Sequence, residues 1–174
     1  VNVLRNDVDA AISVAAATDA AFVRANVHTG ARVTDQGLLA GRAHETLRLR
    51  DSLDTDVAIL ADAEVKHSAP LRERNLSTVV TETIERGLAD GSGVSGPATG
   101  EGVDRGTLRT AVEDGDETAV EVPVVVGSGV TSESVERILD LAEGVIVGTA
   151  FKANANPSNP VDRNLVEELI ERVD

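Results

Sequence analysis

Polar and apolar side chains alternate along two short stretches of this chain, and the polar ones are of types that move protons. In the stretch 23–28, Arg24, Asn26 and His28 share one parity, and Val23, Ala25 and Val27 share the other. In 57–66, Asp62, Glu64 and Lys66 follow Ala58 and Leu60 on one parity, against Val57, Ile59, Ala61, Ala63 and Val65. Strand side chains alternate faces, so each polar set falls on one side of its strand. A lysine beside carboxylates can act as acid, base or Schiff-base former once its pKa shifts. A histidine titrates near neutrality and can shuttle a proton. His28, Glu64 and Lys66 are therefore the candidate catalytic groups. Arg24, Asn26, Asp62 and His67 are candidate substrate contacts, joined by Asn6 near the start of the chain and by Thr99 in the loop Gly96-Pro97-Ala98-Thr99-Gly100. Arg24 with Asp62 or Glu64 reads equally well as a structural ion pair. Asp62, Glu64, His28 and His67 could hold a divalent ion, but nothing in their spacing marks a metal site, and no cofactor is called for.

A second kind of chemistry is written in glycines. Val122 to Thr131 reads VPVVVGSGVT, a β-branched run entered through Pro123 and broken by Gly127-Ser128-Gly129. Such a run, apolar on both parities, suits a parallel strand covered on both sides. Thr131 then caps a helix carrying Glu133, Val135, Ile138 and Leu139. The design recurs where Val145-Ile146-Val147 runs into Gly148-Thr149-Ala150. Free N–H groups at a strand–glycine–helix junction attract anions. Gly127, Ser128, Gly129, Gly148, Thr149 and Ala150 are the candidate phosphate-binding residues; the alternative is that the glycines only make tight turns.

Composition narrows the setting. Among 174 residues, 30 are acidic and 16 basic, giving a net charge of −14, which argues against a nucleic-acid or anionic-membrane surface. Phe22 and Phe151 are the only aromatic residues, and Cys, Met, Trp and Tyr are absent, so Val, Leu, Ile and Ala must build the core. Lys66 and Lys152 are the only lysines. That balance reads as adaptation to a salt-rich cytoplasm, where salt screens self-repulsion. No long apolar run predicts a transmembrane segment and no signal peptide is evident. A chain that starts at Val1, inside what reads as a strand, and lacks Met altogether is expected to be a fragment.

The elements that must position these residues alternate strand and helix. Strands are expected near 1–5, 21–28, 57–65, 93–95, 123–127 and 145–148. Helices are expected after Asp7, over 38–53, 77–88, 104–112 and after Thr131, and a final amphipathic one over 161–173. Gly91-Ser92-Gly93 is a poor strand former where a strand is due. Strict alternation predicts one α/β domain, residues 1–174, with a parallel sheet. About six βα units fit an incomplete (β/α)8 TIM barrel lacking its first two units, since paired phosphate junctions sit late in such barrels. A six-unit open doubly wound sheet is the rival.

The motifs together resemble one family. Asn2-Val3-Leu4-Arg5-Asn6-Asp7, Asn26-Val27-His28-Thr29-Gly30, Gly41-Arg42-Ala43-His44-Glu45-Thr46, Leu60-Ala61-Asp62, Val65-Lys66-His67, Ser95 to Gly100, Gly127 to Thr131, Gly148 to Lys152 and Asn159-Pro160-Val161-Asp162 are similar, in order, to the BtpA/SgcQ family. The resemblance implies a ribulose-phosphate-binding-type TIM barrel and, through the family's namesake, a link to photosystem I biogenesis. Gly91-Ser92-Gly93 departs from the apolar strand of relatives.

The expected function is binding of a phosphorylated small molecule, a sugar phosphate or nucleotide-like compound, with isomerase or lyase chemistry by proton transfer. The alternative is a non-catalytic assembly or stability factor peripheral to a membrane complex. Homo-oligomerisation is compatible with either.

Overall fold

The structure, a computed structural model, describes residues 1–65, 67–96, 102–116 and 122–173. Five parallel strands form the central sheet: β1 (Phe22–Ala25), β4 (Ala58–Asp62), β6 (Gly91–Val94), β7 (Val124–Val126) and β8 (Gly144–Val145). They neighbour one another in chain order, β1-β4-β6-β7-β8. A doubly wound sheet reverses its strand order at a switch point; a barrel wall does not. The sheet is therefore an arc of a barrel, as the alternation predicts. The expected strand at 1–5 shrinks to one rung: the Val1 amine donates to the Phe22 carbonyl at 2.7 Å and Arg24 N–H to the Val1 carbonyl at 2.8 Å. Residues 4–6 turn away because Asn6 adopts a left-handed φ of 60°.

Helices pack on the outer face. α1 (Val8–Thr18) starts at Asp7, whose carboxylate accepts from Ala10 N–H at 3.0 Å, and buries Ala11, Ile12 and Ala15. With Val23, Ala25, Val57 and Ile59 these residues form one core cluster. α3 (Leu76–Thr81), capped by Asn75, widens into a π-helical turn over Glu82–Arg86. With α4 (Arg105–Asp116), α5 (Val135–Leu139) and α6 (Arg163–Ile170) it covers a second cluster that includes Val94, Val124 and Val126. The apolar strand parity thus packs on helices, as expected.

A small antiparallel sheet that strand–helix alternation does not predict follows β1. Residues 38–53 are mostly helical, as expected, but their start is strand: β3 (Gly37–Ala40) pairs antiparallel with β2 (Ala31–Thr34), and β5 (Ser68–Pro70) adds to the other side of β2. The helix there is shorter, α2 (Ala43–Ser52). Gly37 takes φ +106° at the hairpin turn, a conformation open to glycine. Gly41 then passes so close under β1 that a Cβ would stand 2.6 Å from the His28 carbonyl oxygen.

Among the described residues no helix is long and apolar enough to cross a membrane.

Candidate functional site

The inner face of the arc has an apolar layer and a polar layer, and register shows which residues share that face. Leu60 lies beside Arg24 and Gly91; Asp62 lies beside Gly93; Val125 lies between Gly93 and Gly144. Residues paired in a parallel sheet share a face, so all of these point inward, and Phe22, Ala58, Leu60 and Val125 line one apolar groove toward the strand starts. Arg24, Asp62, Gly93 and Gly127 make a polar layer toward the strand ends, where barrel active sites lie.

Asp62 is the centre of the polar layer. Its side chain is 2% exposed. Arg24 Nε donates to its two oxygens at 2.9 and 3.2 Å, and Asn26 Nδ2 donates at 2.8 Å. Arg24 Nη2 reaches Ser95 Oγ at 3.4 Å. Burial of so many polar atoms demands small neighbours. A Cβ on Gly93 would overlap Asp62 Oδ1, and one on Gly127 would stand 2.8 Å from Ser95 Oγ and 2.9 Å from Arg24 Nη2. The glycines that make 91–93 a poor strand on paper are what leave room for the carboxylate. Asn26 Oδ1 is buried with no partner among the described residues. Glu64 and His67 are exposed and join Arg24, Asn26, Asp62 and Ser95 around an open cleft of about 280 Å³.

Two of the expected site residues are placed elsewhere. His28 is 2% exposed, but it leaves the mouth: Nε2 donates to the Gly87 carbonyl at 2.8 Å, behind the sheet near α2 and the π-helical turn. Burial lowers its pKa below the ordinary 6.5, partly offset by that hydrogen bond and by Asp90. Alternation breaks after Ala25, where β1 ends, so parity no longer sets the direction of residue 28. Asn6 spends both amide atoms on the backbone, donating to the Val27 carbonyl at 2.9 Å and accepting from Val27 N–H at 2.7 Å. It imitates a neighbouring peptide group and extends the edge of β1. Lys66 and Thr99 lie outside the described residues.

The two glycine junctions end adjacent strands β7 and β8. Gly127 N–H is used in the sheet, donating to the Val94 carbonyl at 2.7 Å, and Ser128 Oγ accepts from Gly96 N–H at 2.9 Å, tying two strand ends together. Gly129 turns at φ +66°. Gly129 and Val130 N–H make no hydrogen bond among the described residues, nor do the N–H groups of Gly148, Thr149 and Ala150, which open a single 3-10 turn over Thr149–Phe151. Val130 is a member that side-chain reasoning passes over, because only its amide matters. Helix α5 starts later than expected: Thr131 accepts from Val135 N–H at 3.0 Å through its carbonyl, while its hydroxyl donates to Glu133 at 2.8 Å. That bond, first among the causes, lowers the pKa of the exposed Glu133 carboxyl.

The chain is similar to known proteins in fold and in sequence. By fold, the chain is similar to N-(5'-phosphoribosyl)anthranilate isomerase from Pyrococcus furiosus, at a TM-score of 0.60 and 15% identity over 99% of this chain and 71% of that one. It is likewise similar to Mycobacterium tuberculosis tryptophan synthase, at a TM-score of 0.62 and 21% identity over 98% of this chain and 58% of that one. At such identities the likeness is one of fold, a TIM barrel. By sequence, it is 46% identical to the photosystem I biogenesis protein BtpA of Synechocystis over 98% of this chain. It is 41% identical to an uncharacterized protein of Thermococcus kodakarensis, again over 98% of its length. The chain spans 58% and 63% of those two relatives. The model of the BtpA family matches residues 1–174 from end to end, and with these relatives it makes the chain a member of that family.

Proposed function

We propose that the chain forms the phosphate-binding side of a barrel mouth that takes a phosphorylated small molecule, a sugar phosphate or nucleotide-like compound. One observation carries the reading: five backbone N–H groups, of Gly129, Val130, Gly148, Thr149 and Ala150, are without partners among the described residues at the ends of two adjacent strands. In a chain of net charge −14, backbone dipoles are the means of holding an anion against the overall field. A phosphate there would lay its organic part toward Arg24, Asn26 and Asp62. Glu64 and Lys66 are the proposed proton-transfer groups for isomerisation or lyase cleavage; His28, buried on Gly87, serves the scaffold instead.

The test uses a position where side chains fit. Gly148 has a negative φ of −129°, and a side chain's Cβ there would meet nothing within 4 Å. Gly148→Val therefore clashes with nothing in the fold, thermal melts check that it is folded, and it should block close approach of phosphate. Calorimetric titration with ribose 5-phosphate and inorganic phosphate should show binding weakened at least about tenfold, the loss of one or two charge-assisted hydrogen bonds. Unchanged binding would remove the phosphate assignment.

A second reading has its own observation. The apolar inner layer is open, forming a groove of about 340 Å³ along Phe22, Leu60, Pro123, Val125 and Ile146, and Phe22 is 47% exposed. An assembly factor of the kind that the Synechocystis relative's name describes would use such a surface to hold another protein.

A further inference from the structure

A cleft of about 260 Å³ opens beside the mouth, between the end of β1, the small antiparallel sheet and the start of α3. Asn26, Asp62 and Glu64 border both spaces. The lining of the cleft is of two kinds. Arg32, Arg72 and Arg74 line it together with Leu71, Leu76 and Val79.

Three guanidinium groups around one small cleft are unexpected in a chain of net charge −14. Each is held or left available in its own way. Arg32 Nε donates to Ser68 Oγ at 2.6 Å, which fixes the plane of the fork, and burial strips some of its water. Arg74 pairs with Glu82 through Nη2, yet its Nε is buried without a partner among the described residues. Gly30, at φ +70°, leaves space for Arg74: a Cβ there would stand 3.2 Å from Nη1. The Arg72 side chain has no ion pair or hydrogen bond among the described residues. Against these stand Glu64, which acts on Arg32 across the cleft, and Asp62, already engaged by Arg24 and Asn26. Arg72 and the free edge of Arg32 remain as unmatched donors. A planar guanidinium matches a carboxylate with two parallel hydrogen bonds. Leu71, Leu76 and Val79 in the same cleft, with Leu71 63% exposed, want an apolar body attached to that carboxylate.

We propose that this cleft binds the carboxylate of a small organic acid, with Arg32 and Arg72 on the acid group and Leu71, Leu76 and Val79 on its hydrocarbon part. The inference stands whether or not the glycine junctions bind phosphate, because it shares no residue with them.

The probes are acetate, hexanoate and inorganic phosphate at matched ionic strength, titrated by NMR against wild type, Arg72→Gln, Arg32→Gln and Gly148→Val. Arg72 is exposed, so its replacement leaves the fold intact; thermal melts followed by circular dichroism check Arg32→Gln. Hexanoate should bind saturably and about tenfold more tightly than acetate, since each methylene fully buried is worth up to about fourfold. Arg72→Gln should weaken hexanoate binding by about tenfold, and Gly148→Val should leave it unchanged. The assignment is overturned if hexanoate does not saturate. It is also overturned if Arg72→Gln and folded Arg32→Gln bind hexanoate like wild type, or if phosphate occupies the arginines while hexanoate gains nothing over acetate. Loss of phosphate binding in Gly148→Val with hexanoate unaffected would separate the two sites.

Discussion

Gly93→Ala tests whether the inner polar layer is held by space as much as by charge. The new Cβ would overlap Asp62 Oδ1 while staying 3.5 Å from Asp62 Cγ, so the carboxylate has to swing and the backbone does not. Swinging gives up the 2.9 Å bond from Arg24 Nε and strains the 2.8 Å bond from Asn26. A hydrogen bond to a charged group contributes about 1.5–3 kcal/mol. Replacing glycine by alanine in a strand returns roughly 0.5–1 kcal/mol through the unfolded chain. The net expectation is a loss of about 1–2 kcal/mol in urea unfolding at fixed ionic strength. The sharper result comes from repeating the change in an Asp62→Ala background. With no carboxylate to displace, Gly93→Ala should be neutral or stabilising by about 0.5 kcal/mol, so the sign of the effect reverses. Equal destabilisation in both backgrounds would refute the reasoning. The cost would then lie in the strand itself, and the glycine would not be there to seat Asp62.

Two further outcomes follow from burial and charge. His28 has a folded pKa below its unfolded value near 6.5, chiefly through burial, so the unfolded chain binds more protons in the window beneath 6.5. Stability should therefore fall as pH drops from about 7.5 to 5.5, and His28→Gln, which keeps a donor toward Gly87, should flatten that slope; an unchanged slope would show that His28 does not titrate there. A net charge of −14 on 174 residues implies self-repulsion, so the melting temperature should rise as KCl approaches molar concentrations, and a flat or falling trend would contradict it.

What the sequence determines by itself is local and periodic. Period-two alternation in 57–65 assigns Val57, Ile59 and Ala61 to the helix-covered side and Asp62 to the inside, and the structure keeps that assignment. Strand–helix alternation yields a parallel sheet, and the β-branched run ending in Gly127-Ser128-Gly129 marks a strand end with its turn. Tertiary structure decides where alternation stops. β1 ends at Ala25, so His28 departs from its own parity and is buried on Gly87, a partner 59 residues away. Asn6 is claimed by Val27, 21 residues on, because an amide side chain can replace a missing strand neighbour. β3 hides at the start of a stretch that reads as helix, and β2 goes unread, since β2 finds its second neighbour only in β5, more than thirty residues later. Gly91-Ser92-Gly93 looks deficient as a strand until Leu60 and Asp62 from β4 are set against it. The arginine cleft is invisible along the chain, because Arg32 and Arg72 meet only when β5 pairs with β2. Propensity and periodicity act over a few residues and are legible in sequence; space-filling and charge pairing act between residues that only the fold makes neighbours.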